Sequence, residues 1–169
     1  MKKTLFVITI LFMAFTLIAC ANPYIGKLVK KDMTRKIQTP SGKNHRYTLN
    51  HIIVDYNYTV YPEKQMIIIK GTIDDRQQDA HAHLVQGDNW KLKEAYLDIY
   101  FQNAERRVVD FCRKEFPLGH FAFPYPFGAK CRYSPDYRHA ALAYKYKYVQ
   151  YEGGSSEVVK IYEHKLDIK

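Results

Sequence analysis

The first candidates for chemistry in this 169-residue chain are two histidines, His81 and His83, which are separated by one residue. Residues i and i+2 of a β-strand point the same way, so a His-x-His pair can offer two imidazoles to one metal ion. A catalytic zinc needs three protein ligands, and the spacing fixes no third; Asp79, Asp88 and His120 are only candidates. Two histidines in a polar stretch are usually just exposed, so we predict neither a bound metal nor another cofactor.

The remaining reactive side chains form no recognisable catalytic pattern. Asp74 and Asp75 are neighbours, which face opposite ways in a strand and cap the backbone in a turn, and we interpret them as turn residues. No serine lies in a Gly-x-Ser-x-Gly context, and neither a phosphate-binding glycine loop nor His-Glu-x-x-His occurs. The sequence therefore favours a protein that is not an enzyme.

Two of the three cysteines, Cys112 and Cys131, are separated by 18 residues. This is not the Cys-x-x-Cys spacing of redox catalysts or zinc knuckles. In an oxidising compartment such a pair most simply forms a disulfide, and closing a loop of this size would add about 3 kcal/mol of stability.

The beginning of the chain indicates export from the cytosol. Lys2 and Lys3 form a short basic end, and the sequence from Leu5 to Ile18 is almost unbroken apolar sequence. This charge and length pattern is typical of a secretion signal and is short for a membrane span.

The signal ends in the tetrapeptide Leu17-Ile18-Ala19-Cys20, with a small residue before a thiol. Here the chain resembles the bacterial lipoproteins, whose lipobox has the form Leu-x-Ala/Gly-Cys; the resemblance covers residues 1–20. It implies cleavage after residue 19, diacylglycerol on the Cys20 sulfur and usually a third acyl chain on the new amino group. The alternatives are an ordinary signal peptide with a coincidental cysteine, or an uncleaved anchor.

Acylation of Cys20 would make the membrane the first partner of the chain. Each buried CH₂ contributes about 0.8 kcal/mol, so two or three chains anchor a protein almost permanently. Ala21 and Asn22 follow, without the Asp that favours inner-membrane retention in enteric members of the family. We therefore expect the periplasmic side of the outer membrane in a Gram-negative source, and the outer face of the single membrane in a Gram-positive one.

The chain is basic, with 26 Lys and Arg against 17 Asp and Glu and a formal charge of +9. Removal of residues 1–19 takes away Lys2 and Lys3 and leaves +7. In the cytosol this excess would suggest nucleic acid as a partner. Export argues against nucleic acid and leaves phospholipid head groups, lipopolysaccharide phosphates and wall polymers as the available polyanions.

Residues 20–45 are predicted to be a lipidated tether. Their apolar residues recur at helical spacing among basic ones, which favours a short basic amphipathic helix on the membrane or a linker that docks on the domain. These apolar residues are Ile25, Leu28, Val29, Met33 and Ile37. The segment from Thr39 to Asn44 would break a helix and mark the start of a domain over residues 46–169.

Within that domain the apolar residues alternate, as in half-buried strands. The alternation is clear over 52–60, 95–101 and 138–151, and Gly71 indicates a bulge or a close approach of backbones in the strand after the first. No segment shows a persuasive helical period. Six to eight strands at this spacing predict an all-β antiparallel sandwich, immunoglobulin-like, over a barrel.

The most unusual stretch of the domain is residues 116–127, rich in aromatic residues and proline. Four aromatic residues share one parity: Phe121, Phe123, Tyr125 and Phe127. Pro124 and Pro126 share the other and cannot donate to a ladder, which suits an edge strand. An inward aromatic face would be core. An outward one beside Lys130 and Arg132 would be a surface able to stack on sugars or hold a protein.

Together these features predict a lipid-anchored envelope protein with a non-catalytic binding or structural role. Its partner would be an envelope protein or a wall polymer. The domain loosely resembles small immunoglobulin-like envelope lipoproteins of no assigned activity. The alternatives are an envelope enzyme acting on wall or lipid, and a periplasmic metal-binding protein that uses His81 and His83.

Overall fold

The structure is a computed structural model that describes residues 22–76, 91–118, 123–152 and 156–169. These residues form an antiparallel β-sandwich, which confirms the fold class predicted from the alternation. Its strands are β1 (Arg35–Lys36), β2 (Ser41–Thr48), β3 (Ile52–Tyr61), β4 (Met66–Asp75), β5 (Lys91–Gln102), β6 (Val108–Glu115), β7 (Tyr125–Arg132), β8 (His139–Glu152) and β9 (Ser156–His164). Two 3₁₀ turns, Lys31–Met33 and Pro62–Lys64, complete the elements.

The strands lie in two sheets. The four-stranded sheet has the order β2-β3-β4-β7. The five-stranded sheet has the order β6-β5-β8, and the free side of β8 pairs with β1 at residues 139–140 and with β9 at residues 144–152. All of these pairs are antiparallel.

Strict alternation of apolar and polar residues produces the inner face of each sheet. In β3 the side chains of Ile52, Val54, Tyr56 and Val60 are buried, whereas those of Asn57 and Thr59 between them are exposed. The inner faces of both sheets form one main core. Because every second residue of a strand points the same way, this burial follows directly from the sequence.

Gly71 in β4 marks a close approach rather than a bulge, because β3 and β4 pair without a register shift. A Cβ atom at this position would lie 2.1 Å from the backbone oxygen of Asp55. Only a residue without a side chain allows β3 to come so near.

Between residues 22 and 45 the structure shows a segment that docks on the domain, which is one of the two predicted alternatives, and not an amphipathic helix. Val29 is fully buried, the secondary structure before β2 is a 3₁₀ turn, short bridges and β1, and β2 begins within the segment. The physical reason is a second apolar cluster on the outer face of the five-stranded sheet, which needs a cover. The cluster consists of Val29, Tyr100, Val108, Ala141, Ala143 and Leu166.

We call residues 22–34 the strap, because they run across this outer face. The prediction of a boundary at residue 46 is therefore corrected: the folded domain includes the strap and both of the first strands. No helix in the described part of the chain is long and apolar enough to cross a membrane.

Candidate functional site

The predicted disulfide between Cys112 and Cys131 is present. Cys112 lies in β6, at one edge of the five-stranded sheet, and Cys131 lies in β7, at one edge of the four-stranded sheet. The bond therefore joins the two sheets where no ladder hydrogen bonds can do so. Its place in the fold indicates a structural role.

The aromatic segment contributes to the core. Phe127 is buried, and Phe123 and Tyr125 are partly buried against the main core; Phe121 lies outside the described residues. The ring of Phe116 packs edge-on against Tyr125 with 5.4 Å between centroids. β7 is an edge strand, as the prolines predicted.

Among the described residues of β7, the aromatic side chains Tyr125 and Phe127 do not share a face with Lys130 and Arg132. Cys131 faces the core, so Lys130 and Arg132 extend from the opposite face of β7 and are exposed. A strand sends residues of different parity to different sides. This parity was visible in the sequence and already separates the two basic residues from Phe127.

The histidine pair His81 and His83 lies outside the described residues, as do Asp79, Asp88 and His120. Within the described ranges, no three His, Cys, Asp or Glu side chains come close enough to hold a metal ion.

Asp74 and Asp75 differ from the prediction of turn residues, since they close strand β4. Asp75 is buried and Asp74 is half-buried, because adjacent strand residues face opposite sides. The Asp74 carboxylate accepts a hydrogen bond from the Asp75 amide, 2.9 Å away.

A polar cluster that sequence reasoning missed lies at this end of the sandwich. The backbone N–H of His51 donates to the Tyr144 hydroxyl at 3.0 Å, and the His164 ring stacks on Tyr144 with 6.3 Å between centroids. Burial raises the pKa of Tyr144 to about 12 and lowers the pKa of His164. Both side chains are therefore neutral at pH 7, and the cluster offers polar contacts rather than an activated nucleophile.

A cavity between the sheets is too small for a ligand. It has a volume of about 20 Å³, is lined by apolar side chains of both sheets, and is closed at one side by Arg35, Lys36 and Ile37. A space of this size holds about one water molecule, and apolar walls disfavour even that.

The strap contacts the outer face of the five-stranded sheet through both side chains and backbone. The Asn22 side-chain amide donates to the Tyr100 hydroxyl at 3.3 Å, and Tyr24 packs edge-on against the Tyr100 ring at 5.3 Å between centroids. Two reciprocal backbone bonds follow: Gly26 N–H to Val108 O at 2.8 Å, and Val108 N–H to Lys27 O at 2.9 Å. The strap is thus hydrogen-bonded to the start of β6.

An ion pair between a buried carboxylate and an exposed guanidinium lies on the same outer face. Asp98 is 3% exposed, and the Arg113 guanidinium holds both of its oxygens at 2.7 and 2.9 Å. The guanidinium also lies over the ring of Tyr96, 3.7 Å from its centroid. The hydrogen bonds to Asp98 raise the pKa of Arg113, and burial raises the pKa of Tyr100, whose hydroxyl donates to Asp98. The contacts of Arg113 with Asp98 join β6 to β5 in the sheet on which the strap lies.

Beside the strap is a shallow basic groove between the first 3₁₀ turn and the β5–β6 turn. Its lining is Lys31, Thr34, Lys36, Ala104, Arg106 and His139. Arg106 has φ +63°, and its carbonyl accepts the Val29 N–H at 3.1 Å, which holds the turn against the strap. The sequence had indicated a basic segment here, but not that Arg106, 75 residues further on than Lys31, would join it.

No family model, curated protein or solved structure matches the chain significantly. The functional argument therefore rests on the sequence and the geometry of the chain itself.

Proposed function

We propose that this chain is a lipoprotein of the bacterial envelope, anchored by acyl chains on Cys20, and that it has a non-catalytic binding or structural role there. The observation that carries the proposal is the tetrapeptide Leu17-Ile18-Ala19-Cys20 at the end of a basic and then apolar leader. The resemblance to the lipoprotein family implies cleavage after residue 19 and location on the membrane surface.

The position of the strap supports a short connection between the proposed anchor and the folded domain. Asn22 is hydrogen-bonded to Tyr100 on the domain, and only Ala21 separates it from Cys20. Consecutive Cα atoms are about 3.8 Å apart, so the anchor lies within about 8 Å of Asn22. A lipid on Cys20 would hold the domain against the bilayer rather than on a long tether.

We further propose that the sandwich is immunoglobulin-like. Strands β3-β4-β7 follow the order A-B-E of an immunoglobulin domain, and strands β9-β8-β5-β6 follow the order G-F-C-C′. β1 and β2 are additions to this pattern. The fold implies no activity by itself, because immunoglobulin-like sandwiches carry many unrelated functions.

The outer face of the four-stranded sheet suits the proposed binding or structural role. It is polar: Arg46 holds Asp55 through two hydrogen bonds of 2.7 Å, and the neighbouring side chains Asn57, Lys70 and Thr72 are exposed. Shallow grooves run beside it where β2 is irregular, at Asn44 with φ +55°. We propose an envelope protein or a wall polymer as the partner of this face.

The anchor is tested by mass spectrometry of the mature amino terminus and by membrane fractionation of Cys20→Ala. We expect acyl chains on Cys20 in the parent protein and loss of membrane attachment in the variant. The Cys112→Ala/Cys131→Ala variant is the matched control, since it removes two thiols without touching the anchor and should stay in the membrane fraction. A Cys20→Ala protein that remains bound would show instead that Leu5 to Ile18 is a retained anchor.

The proposed role is tested by co-sedimentation of the detergent-solubilised chain with purified wall sacculi. High salt removes purely electrostatic binding. Retention at high salt supports a wall-binding role, whereas release directs the search to crosslinking of protein partners. Lipid or wall turnover by the purified protein would overturn the non-catalytic proposal.

A further inference from the structure

The strap face carries exposed apolar side chains beside the anchor point. We define the strap face as residues 23–36 together with residues 104–111. Ile25, Val109 and Phe111 are 45, 41 and 36% exposed. The Gly26–Val108 hydrogen bond joins the chain segments that carry Ile25 and Val109, and Phe111 stacks on Tyr100 at 5.9 Å between centroids.

These three side chains therefore belong to segments that contact one another near the start of the described chain. Tyr100, on which Phe111 stacks, also accepts the hydrogen bond from Asn22. An acyl anchor on Cys20 would leave the chain two residues before Asn22, within about 8 Å of this contact. The apolar side chains lie where an anchored domain meets the bilayer.

The same face is cationic. Lys27 and Arg107 are exposed and form no ion pair with any described acid, and the basic groove adds Lys31, Lys36 and Arg106. The acids in these ranges are Asp32, Glu105 and Asp110, and the carboxylate of Asp110 accepts a hydrogen bond from the Tyr137 hydroxyl. The ranges also hold Arg35 and Lys30, and Lys30 is paired with Asp167. Seven cations against three carboxylates complement the negative surface potential of anionic lipids.

We propose that the strap face is a membrane-docking surface that lies on anionic phospholipid head groups. This inference rests on the proposed lipidation of Cys20. Ile25, Val109 and Phe111 enter the boundary between head groups and acyl chains, while the groove cations bind lipid phosphates. The acyl anchor and the docked face together fix the orientation of the domain.

A fixed orientation has a consequence for the opposite side of the sandwich. The strap face belongs to the outer side of the five-stranded sheet. The outer side of the four-stranded sheet, with Lys70 and Lys130, then points away from the bilayer. Lipid therefore covers one face and leaves the other open to an envelope partner.

The test uses full-length lipidated protein in vesicles of phosphatidylethanolamine and phosphatidylglycerol that contain bromine-labelled lipid. The native Trp90, the one tryptophan of the chain, is first changed to Phe. Phe111→Trp then reports on the strap face. Thr72→Trp is the matched control, because Thr72 is exposed on β4, on the outer side of the four-stranded sheet.

A tryptophan at position 111 should lose about half or more of its fluorescence, since bromine quenches rings at the boundary of head groups and acyl chains. One at position 72 should lose little. The Lys31→Glu/Lys36→Glu pair should reduce quenching at position 111, and the equally charged Lys70→Glu/Lys130→Glu pair should not. Quenching at position 111 should also be weaker in vesicles that contain phosphatidylcholine alone.

Other outcomes overturn the inference in distinguishable ways. Lipid on Cys20, shown by mass spectrometry, with no quenching at position 111 would refute the docked face and leave the lipoprotein proposal standing. Equal quenching at positions 111 and 72 would mean that no orientation is fixed. Absence of lipid on Cys20 would refute both proposals together.

Discussion

Cys112 and Cys131 bring the edge strands of the two sheets together, with 5.6 Å between their Cα atoms. The bond closes the connection between β6 and β7, which passes from one sheet to the other. In the chain-entropy model, a crosslink of this loop length stabilises the fold by restricting the unfolded chain.

We expect the Cys112→Ser/Cys131→Ser variant to lose about 3 kcal/mol of unfolding free energy. Urea unfolding, followed by far-UV circular dichroism, measures the difference from the parent protein. Reduction of the parent with dithiothreitol should produce the same loss. A variant as stable as the oxidised parent would show that the bond does not form or does not constrain the chain.

Gly71 provides a second prediction, because its missing side chain makes room for the backbone of β3. Gly71→Ala should cost about 1–3 kcal/mol, since the two strands must move apart. Gly128→Ala, in β7, is the matched control: a Cβ atom there meets nothing nearer than Ile69 O at 4.0 Å. Thermal unfolding of both variants measures the two losses of stability. Equal losses would contradict the close approach of β3 to β4 at Gly71.

The pH dependence of stability should include a contribution from His164. Burial lowers its pKa in the folded state below the ordinary value of 6.5, and the smaller opposing effect of Asp167 does not cancel this. As the pH falls through 6.5, the unfolded chain binds the proton first. Stability contributed by the neutral imidazole is therefore complete above this pH and is lost as the pH falls towards the folded-state pKa.

We expect His164→Phe to flatten the curve of unfolding free energy between about pH 7 and pH 5 relative to the parent. The replacement ring can still stack on Tyr144. Direct titration of the His164 ring by NMR provides the independent measurement. A folded-state pKa at or above the ordinary value would contradict the prediction.

Much of the sandwich could be predicted from period-two patterns, since Ile52, Val54 and Val60 are apolar wherever the strand faces inward. The sequence also identified the edge position of β7 and the cysteine pair. The interaction between the strap and the sheet could not be predicted. Tyr100 and Ala141 face outward in their strands, and alternation alone does not say that a distant segment covers them.

The candidate surfaces show the same distinction between local and long-range information. Parity assigns Phe127 and Lys130 to opposite faces of β7, so their separation was available from sequence. The presence of Lys31 and Arg106 in the lining of one basic groove depends instead on the path of the strap. That path depends on hydrogen bonds and apolar contacts between segments far apart in the chain, and one sequence does not reveal it.

The last prediction tests whether burial of Val29 holds the strap. Val29 is fully buried beside Tyr100, Val108 and Leu166, so Val29→Asp would place an unpaired carboxylate in an apolar cluster. The strap should detach while the disulfide and the main core keep the sandwich folded. Limited trypsin digestion should then cut after Lys27 about tenfold faster or more, because local opening exposes the backbone.

Ile25→Asp is the matched control, since the same charge placed on an exposed strap residue leaves the cluster intact. Its digestion rate should equal that of the parent. Equal rates for Val29→Asp and Ile25→Asp would show that backbone bonds such as Gly26 N–H to Val108 O are enough to hold the strap. Faster cutting in Val29→Asp alone would show that apolar burial holds the strap. The same variant would then lengthen the free chain between the lipid and the domain.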